Sequence, residues 1–404
     1  MKVVEKVEYA KTILWFLLTT GVLSFILSGC ATTPRRNPVP QDTGVIAEIP
    51  GFEETRFWGD VPPPWMDEVY TASPAEIESR FSGITGREQH HLTLSGGGQN
   101  GAFGAGLLNG WTAAGTRPEF SIVTGVSTGA LIAPFAFLGK DYDQRLKDAF
   151  TTISTRDILT LRRPLAMLTS DSAASTGPLR RHIAKYVDQQ MIDAIAQEHR
   201  KGRLLFIGTT NLDQERPVIW NIGRIAARGS PGALELIHSI LLASASIPVI
   251  FPPVLFEVEA DGQRYDEMHV DGGTTRQVFL YPFGIDWERL IRKLDIRGKP
   301  KVYVIRNESL ALDKKAVELR LIPIAQRSLD TLIRRQGIGD EYQIYLATRR
   351  YGFDFNLAYI PEYFQEIPKE SFDREYMNNL FNFGYRTAAS GFPWKKTPPY
   401  YKSR

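Results

Sequence analysis

Apolar and polar positions divide this chain into short runs of two periods. His91-Leu92-Thr93-Leu94 alternates with period two, the pattern of a strand. Phe120-Ser121-Ile122-Val123, Leu204-Leu205-Phe206-Ile207-Gly208, Met268-His269-Val270 and Val302-Tyr303-Val304-Ile305 are nearly continuous apolar runs, as strands buried on both faces require. Between them, residues 102–114, 144–150, 179–198 and 231–243 carry the wider spacing of helices, the first with small residues along one face. Strands alternating with helices predict an α/β fold, a mostly parallel sheet sandwiched by helices. After about residue 308 the pattern changes to charged helices over 314–335 and 340–349. A strand over 353–357 and a last helix over 371–387 follow.

The first ninety residues read differently. Lys2, Lys6 and Lys11 precede an apolar run over 12–27, short for a transmembrane span and fronted like a secretory signal peptide. Leu27-Ser28-Gly29-Cys30 closes it and resembles a bacterial lipobox, so cleavage would leave Cys30 as a lipidated N-terminus that anchors the protein to a membrane. The alternative is an uncleaved anchor, to which Glu5 and Glu8 near the start are better suited. Ala31 after the cysteine resembles the outer-membrane sorting pattern of Gram-negative lipoproteins, and the expected location is the bacterial cell envelope. Residues 31–64 are rich in Pro, Thr, Arg and Gly and read as a tether. Ser73, Pro74 and Glu76 form a helix start of the capping-box type. The expected divisions are a signal peptide at 1–29, a tether and N-terminal segment at 30–90, a catalytic domain at 91–308 and a helical extension at 309–404.

Composition changes this picture little. The 404 residues are 43% hydrophobic and 23% charged, enough for one large α/β body with appendages. A net charge of +3 gives no reason to expect nucleic acid as a partner. Cys30 is the single cysteine, so no internal disulfide forms, and no Cys and His cluster suggests a metal or a cofactor.

Chemistry enters at three glycine-rich turns that each follow a predicted strand. In an open parallel sheet such turns gather beyond the carboxyl ends of the strands. Gly125-Val126-Ser127-Thr128-Gly129 is a G-x-S-x-G turn between strand and helix, which pushes the Ser127 hydroxyl outward as a candidate nucleophile. A serine needs a base, and Asp271, ahead of Gly272-Gly273, is the candidate if partial burial raises its pKa. Gly96, Gly97 and Gly98 present backbone amides at a helix start, where an oxyanion would be held.

These blocks resemble the motifs of patatin-like phospholipases, in that family's order: Gly96-Gly97-Gly98-Gln99-Asn100-Gly101, then the serine turn, then Asp271-Gly272-Gly273. Ala243-Ser244-Ala245-Ser246-Ile247-Pro248 and Phe251-Pro252-Pro253-Val254 match a further family stretch. The resemblance implies a Ser127–Asp271 dyad, a glycine oxyanion loop and metal-free hydrolysis of lipid acyl esters. It departs at Asn100, where the family usually carries Arg or Lys, which leaves the loop less cationic.

Three rivals stand against it. A Ser-Asp-His hydrolase normally places its histidine last, and His90, His91, His182, His199, His238 and His269 all precede Asp271. Gly96 to Gly101 also spells a dinucleotide fingerprint, but the next strand ends without the acid that would hold a ribose. The third is a non-catalytic lipoprotein that binds lipid or protein on the same scaffold, with Lys314, Lys315, Arg320, Arg334, Arg335, Arg349 and Arg350 as a solvated face or a headgroup-binding one. Residues 247–256 are expected to line the acyl channel or to be core. Protein partners are unknown from the sequence.

Overall fold

Nine strands form one mixed sheet in the computed structural model, which describes residues 36–40, 47–162, 171–281, 284–310 and 316–401. They are β1 (Arg56–Trp58), β2 (His90–Leu94), β3 (Ile122–Val126), β4 (Leu204–Asn211), β5 (Arg216–Asn221), β6 (Val254–Ala260), β7 (Gln263–Asp271), β8 (Lys301–Ser309) and β9 (Asp354–Ile360). Their order is β1-β5-β4-β3-β2-β8-β9, with β7 pairing both β4 and β6. The five strands from β4 to β9 in that order are parallel. The pairs β1–β5, β4–β5, β4–β7 and β6–β7 are antiparallel.

The principal helices are α1 (Pro74–Phe81), α2 (Gly101–Ala113), α3 (Thr128–Leu138), α4 (Asp143–Thr151), α5 (Gly177–Tyr186), α6 (Gln189–Arg200), α7 (Ala233–Ser244), α8 (Leu321–Tyr351) and α9 (Arg374–Ala389). Period-two alternation sends neighbouring strand residues to opposite faces. Val123, Leu205, Ile207 and Ile305 share a core with side chains from α2, α3, α6, α7 and α9. Ile122, Val126, Phe206, Val302 and Val304 share the other with Trp287 and with Ile344 of α8. This is the three-layer α/β/α arrangement that the continuous apolar runs predict.

Several boundaries move, each for a local reason. The helix expected over 179–198 is two, because Asp188 caps α6, its carboxylate accepting the Met191 amide at 2.9 Å. The strand expected at 120–123 runs two to three residues later and carries Gly125 within it. Met268-His269-Val270 is the end of a longer strand in a hairpin with β6. One helix, α8, replaces the two expected between 314 and 349, and its Gly337 packs closely against Gln277. The tether reading does not hold from residue 47 onward: Ile49, Phe52, Phe57 and Trp58 are buried, and β1 pairs with β5. The capping box at Ser73 is present, with both reciprocal hydrogen bonds.

The residues after 309 add an edge strand, β9, beside β8, and a helix, α9, that packs on the small-residue face of α2 at Gly106 and Gly110. Residues 38–404 form one compact unit. The other, Met1–Asn37, falls almost wholly outside the described residues, as do Cys30, the apolar run before it, and Lys314 and Lys315.

Candidate active site

Ser127 lies between the end of β3 and the start of α3, at φ 54° and ψ −124°. A side chain at positive φ is strained and persists only where its surroundings hold it. Two neighbours do so. The Ser127 amide donates to the Ser244 hydroxyl at 3.0 Å, and that hydroxyl donates onward to the Gly208 carbonyl at 2.7 Å. Gly129, in the first turn of α3, lets the end of β2 close on the turn, since a Cβ there would stand 2.3 Å from the Leu94 carbonyl oxygen. Gly125 lies inside β3, and Gly101 is the first residue of α2.

Asp271 reaches the same edge by a route that parallel topology alone does not provide. It is the last residue of β7, which runs antiparallel along the far end of β4 and pairs Asp271 with Thr209. The preceding residue of β4, Gly208, pairs with Val126, next to Ser127. The Asp271 amide donates to the Ser246 carbonyl at 2.9 Å, so the last residue of α7 and the segment just after it hold the two candidate residues by their backbones. The carboxylate accepts the Gly273 amide at 2.7 Å through Oδ1, with Gly272 and Gly273 forming the following turn. Oδ2 is buried and has no aligned hydrogen-bond partner among the described residues. Burial pushes the Asp271 pKa up to about 7, offset in part by the Ser127 hydroxyl and the Gly273 amide.

The glycine loop supplies fewer donors than the sequence suggests. The Gly96 amide donates to the Gln277 carbonyl at 3.1 Å and is not available to an oxyanion. Gly97 has φ 151°, and a Cβ there would stand 2.0 Å from the Asn307 carbonyl oxygen. Gly98 has φ 56° and faces open space. Asn307 braces the loop, donating from its backbone to the Ser95 hydroxyl and from its side chain to the Ser95 carbonyl, both at 2.8 Å.

Gly98, Ser127 and Thr128 line one narrow cavity of about 40 Å³, whose other walls include Leu131, Ile247 and Phe251. Of the stretch 247–256, then, Ile247 and Phe251 line the cavity, whereas Phe256 lies in the core against His269. His182 is a polar exception in the lining, and burial lowers its pKa to about 4, so it is neutral at pH 7. Larger clefts of about 380 and 330 Å³ open beside Trp65 and beside Tyr359, and none of the candidate residues lines them.

Asn100, the departure in the glycine loop, accepts a hydrogen bond from the Tyr376 hydroxyl at 2.8 Å, so its oxygen ties the loop to α9. His269 is held away from a triad role: its ring nitrogens meet the Thr209 hydroxyl at 2.9 Å and the Glu267 carboxylate at 3.0 Å. Burial alone would raise Glu267, yet Arg56 beside it and the His269 hydrogen bond hold its pKa at about 2. Ser244, Gln277 and Asn307 are the residues that sequence reasoning missed. Ser244 lies inside a motif-like block and was open to discovery there. Nothing near Gln277 or Asn307 in the sequence marks them, because their roles come from distant contacts.

Residues 92–283 match the family model of patatin-like phospholipases. No curated protein matches the chain. Among solved structures, the chain resembles the crystal structure of VipD from Legionella pneumophila, at 11% identity and a TM-score of 0.37, over 75% of this chain and 67% of that one. The serine turn and the glycine turn before it lie inside the matched stretch, as does the Asp271 turn, and residues 92–283 of this chain are a patatin-like phospholipase domain.

Proposed function

We propose that this chain is a membrane-anchored serine hydrolase of lipid acyl esters, working through a Ser127–Asp271 dyad and an acyl-enzyme. The family domain implies lipid hydrolysis as the broad activity. The finer reading rests on one observation above all: Asp271 is fully buried, its pKa stands near 7, and the Ser127 hydroxyl acts on it. A carboxylate so poised is a usable base at neutral pH. Oδ2 has no hydrogen-bond partner among the described residues, which leaves it for the Ser127 hydroxyl in a dyad that tightens when substrate enters, as catalytic hydrogen bonds often do.

The Ser127 oxygen attacks the ester carbonyl carbon as its proton passes to Asp271. The amides of Gly97 and Gly98 face the resulting oxyanion. Collapse breaks the carbon–oxygen bond to the leaving alcohol, which takes the proton back from Asp271. Water then attacks the acyl-Ser127 ester, giving its proton to Asp271, and the fatty acid leaves as Ser127 recovers that proton. The apolar walls at Leu131, Ile247 and Phe251 suit an acyl chain. Ser127→Ala is expected to lower hydrolysis of a chromogenic acyl ester by about 10³-fold or more, and to abolish labelling by a fluorophosphonate. Full activity in that variant would favour the binding-lipoprotein reading instead. For the anchor, Cys30→Ser is expected to release the mature protein from membranes, and continued tight attachment would favour an uncleaved span.

A further inference from the structure

The first four turns of α8 leave Leu321, Ile324 and Leu332 exposed on the outer side, while Leu329 and Ile333 are half-buried. Leu321, Ile324, Ser328, Leu332 and Arg335 are spaced by three and four residues and share one stripe. All five are exposed, Leu321 at 83%, Leu332 at 67% and Ile324 at 42%. Leu319, just before the helix, is 94% exposed. From Leu321 to Leu332 the row is about 17 Å long at 1.5 Å per residue. The contacts come from the inner side and from one flank of the stripe: Ile333 packs over Gly273, and the Gln336 side chain donates to the Thr275 carbonyl. Gly337 and Asp340, a turn further on, are buried. The apolar stripe therefore points outward from a helix seated on the turn that follows Asp271.

Charge selects the occupant. Residues 316–335 carry four basic side chains and two acidic ones, in a chain whose net charge is only +3. Arg335 stands exposed in the stripe itself, and Arg320, beside Leu319, is exposed and pairs with Glu318 at 3.4 Å. Two copies of such a patch would oppose like charges. An apolar row interleaved with cations suits a surface that offers both acyl chains and negative headgroups.

We propose that the outer face of α8, with Leu319 and Arg320 just before it, docks the protein on an anionic phospholipid surface, beside the Asp271 turn. This rests on the lipid hydrolase reading and deepens it: the surface would bring the site to lipid packed in a bilayer. Association is driven by Leu319, Leu321, Ile324 and Leu332 entering the headgroup region while the cations stay at its surface.

The single cysteine makes a direct test possible. In the full chain carrying Cys30→Ser, a polarity-sensitive dye is attached to Leu332→Cys, and separately to Lys299→Cys as an exposed control. Vesicles of phosphatidylglycerol with phosphatidylcholine are expected to shift the Leu332→Cys emission to the blue and leave Lys299→Cys unchanged. High salt or phosphatidylcholine alone is expected to weaken the shift. No shift at Leu332→Cys would overturn the proposal. So would a shift that needs no vesicles and grows with protein concentration, the mark of a second copy. In a second arm, the double variant Leu321→Ser/Leu332→Ser is expected to lose about tenfold or more in hydrolysis of vesicle lipid. Its rate on a soluble short-chain ester should stay within about twofold of the unmodified chain. Equal rates on both substrates would count against docking. If the unmodified chain hydrolyses neither substrate, the hydrolase reading fails, and the dye shift still decides the surface.

Discussion

Asp271 carries opposite consequences for activity and stability, and both follow from its burial. In the proposed mechanism Asp271 acts as a base and must be ionised, so kcat/KM for a soluble ester is expected to rise with pH and level off above an inflection near 7. Stability runs the other way. The folded pKa lies above the unfolded value of 3.8, so the folded state holds the proton more tightly. That contribution is complete below about pH 4, declines as pH climbs towards 7, and is flat beyond. Asp271→Asn should therefore lose activity by about 10³-fold while its Tm at pH 8 rises above that of the unmodified protein. Thermal melts at pH 5 and pH 8 check the sign, since the gain should shrink at the lower pH. Ser127 shows the same tension in its backbone. Its positive φ is held by Ser244 from one side and by the close approach of Leu94 to Gly129 from the other. G-x-S-x-G was readable as a strained turn; the hydroxyl that steadies it lies 117 residues away in sequence and was not.

Elements are positioned by caps and by the glycines that permit contact. The break between α5 and α6 depends on Asp188, whose side chain accepts the Met191 amide and also pairs with Arg145 at 2.9 Å. Asp188→Ala is expected to cost about 1 kcal/mol through the lost cap, read as a lower midpoint in urea unfolding with an unchanged slope. A strand period is equally local, which is why β2, β4 and β8 were visible in the chain as alternating or continuous apolar runs. The hairpin β6–β7 was not visible, because Gln263 to Glu267 is largely polar and projects beyond the parallel core. The long helix α8 was read as two for a related reason. Gly337 and Gly339 look like breaks, yet Gly337 is where the helix meets Gln277, and continuity there is decided by packing.

Across the molecule, a buried chain of polar contacts joins the N-terminal segment to the strand that ends at Asp271. Arg56 of β1 donates to Glu267 at 2.5 Å and to the Ala47 carbonyl, Glu267 meets His269, and His269 meets Thr209, the backbone partner of Asp271. Removing one member leaves charge buried without its partner, so Arg56→Ala is expected to destabilise the fold by about 3–5 kcal/mol. Circular dichroism melts would register this, and ester hydrolysis should fall at lower temperature than in the unmodified protein. A segment that reads as tether from its prolines and glycines is thus part of the body, because Phe52, Phe57 and Trp58 find apolar partners that no local pattern announces. The sequence by itself determined the α/β class, the parallel core and the three turns that meet, because strand period, helix period and glycine spacing are local properties of the chain. Only the tertiary structure decided the antiparallel arrival of Asp271, the loss of the Gly96 amide to Gln277, the raised pKa of Asp271 and the outward apolar face of α8. Each of these depends on which distant surfaces exclude water from one another, and that is a property of the folded chain.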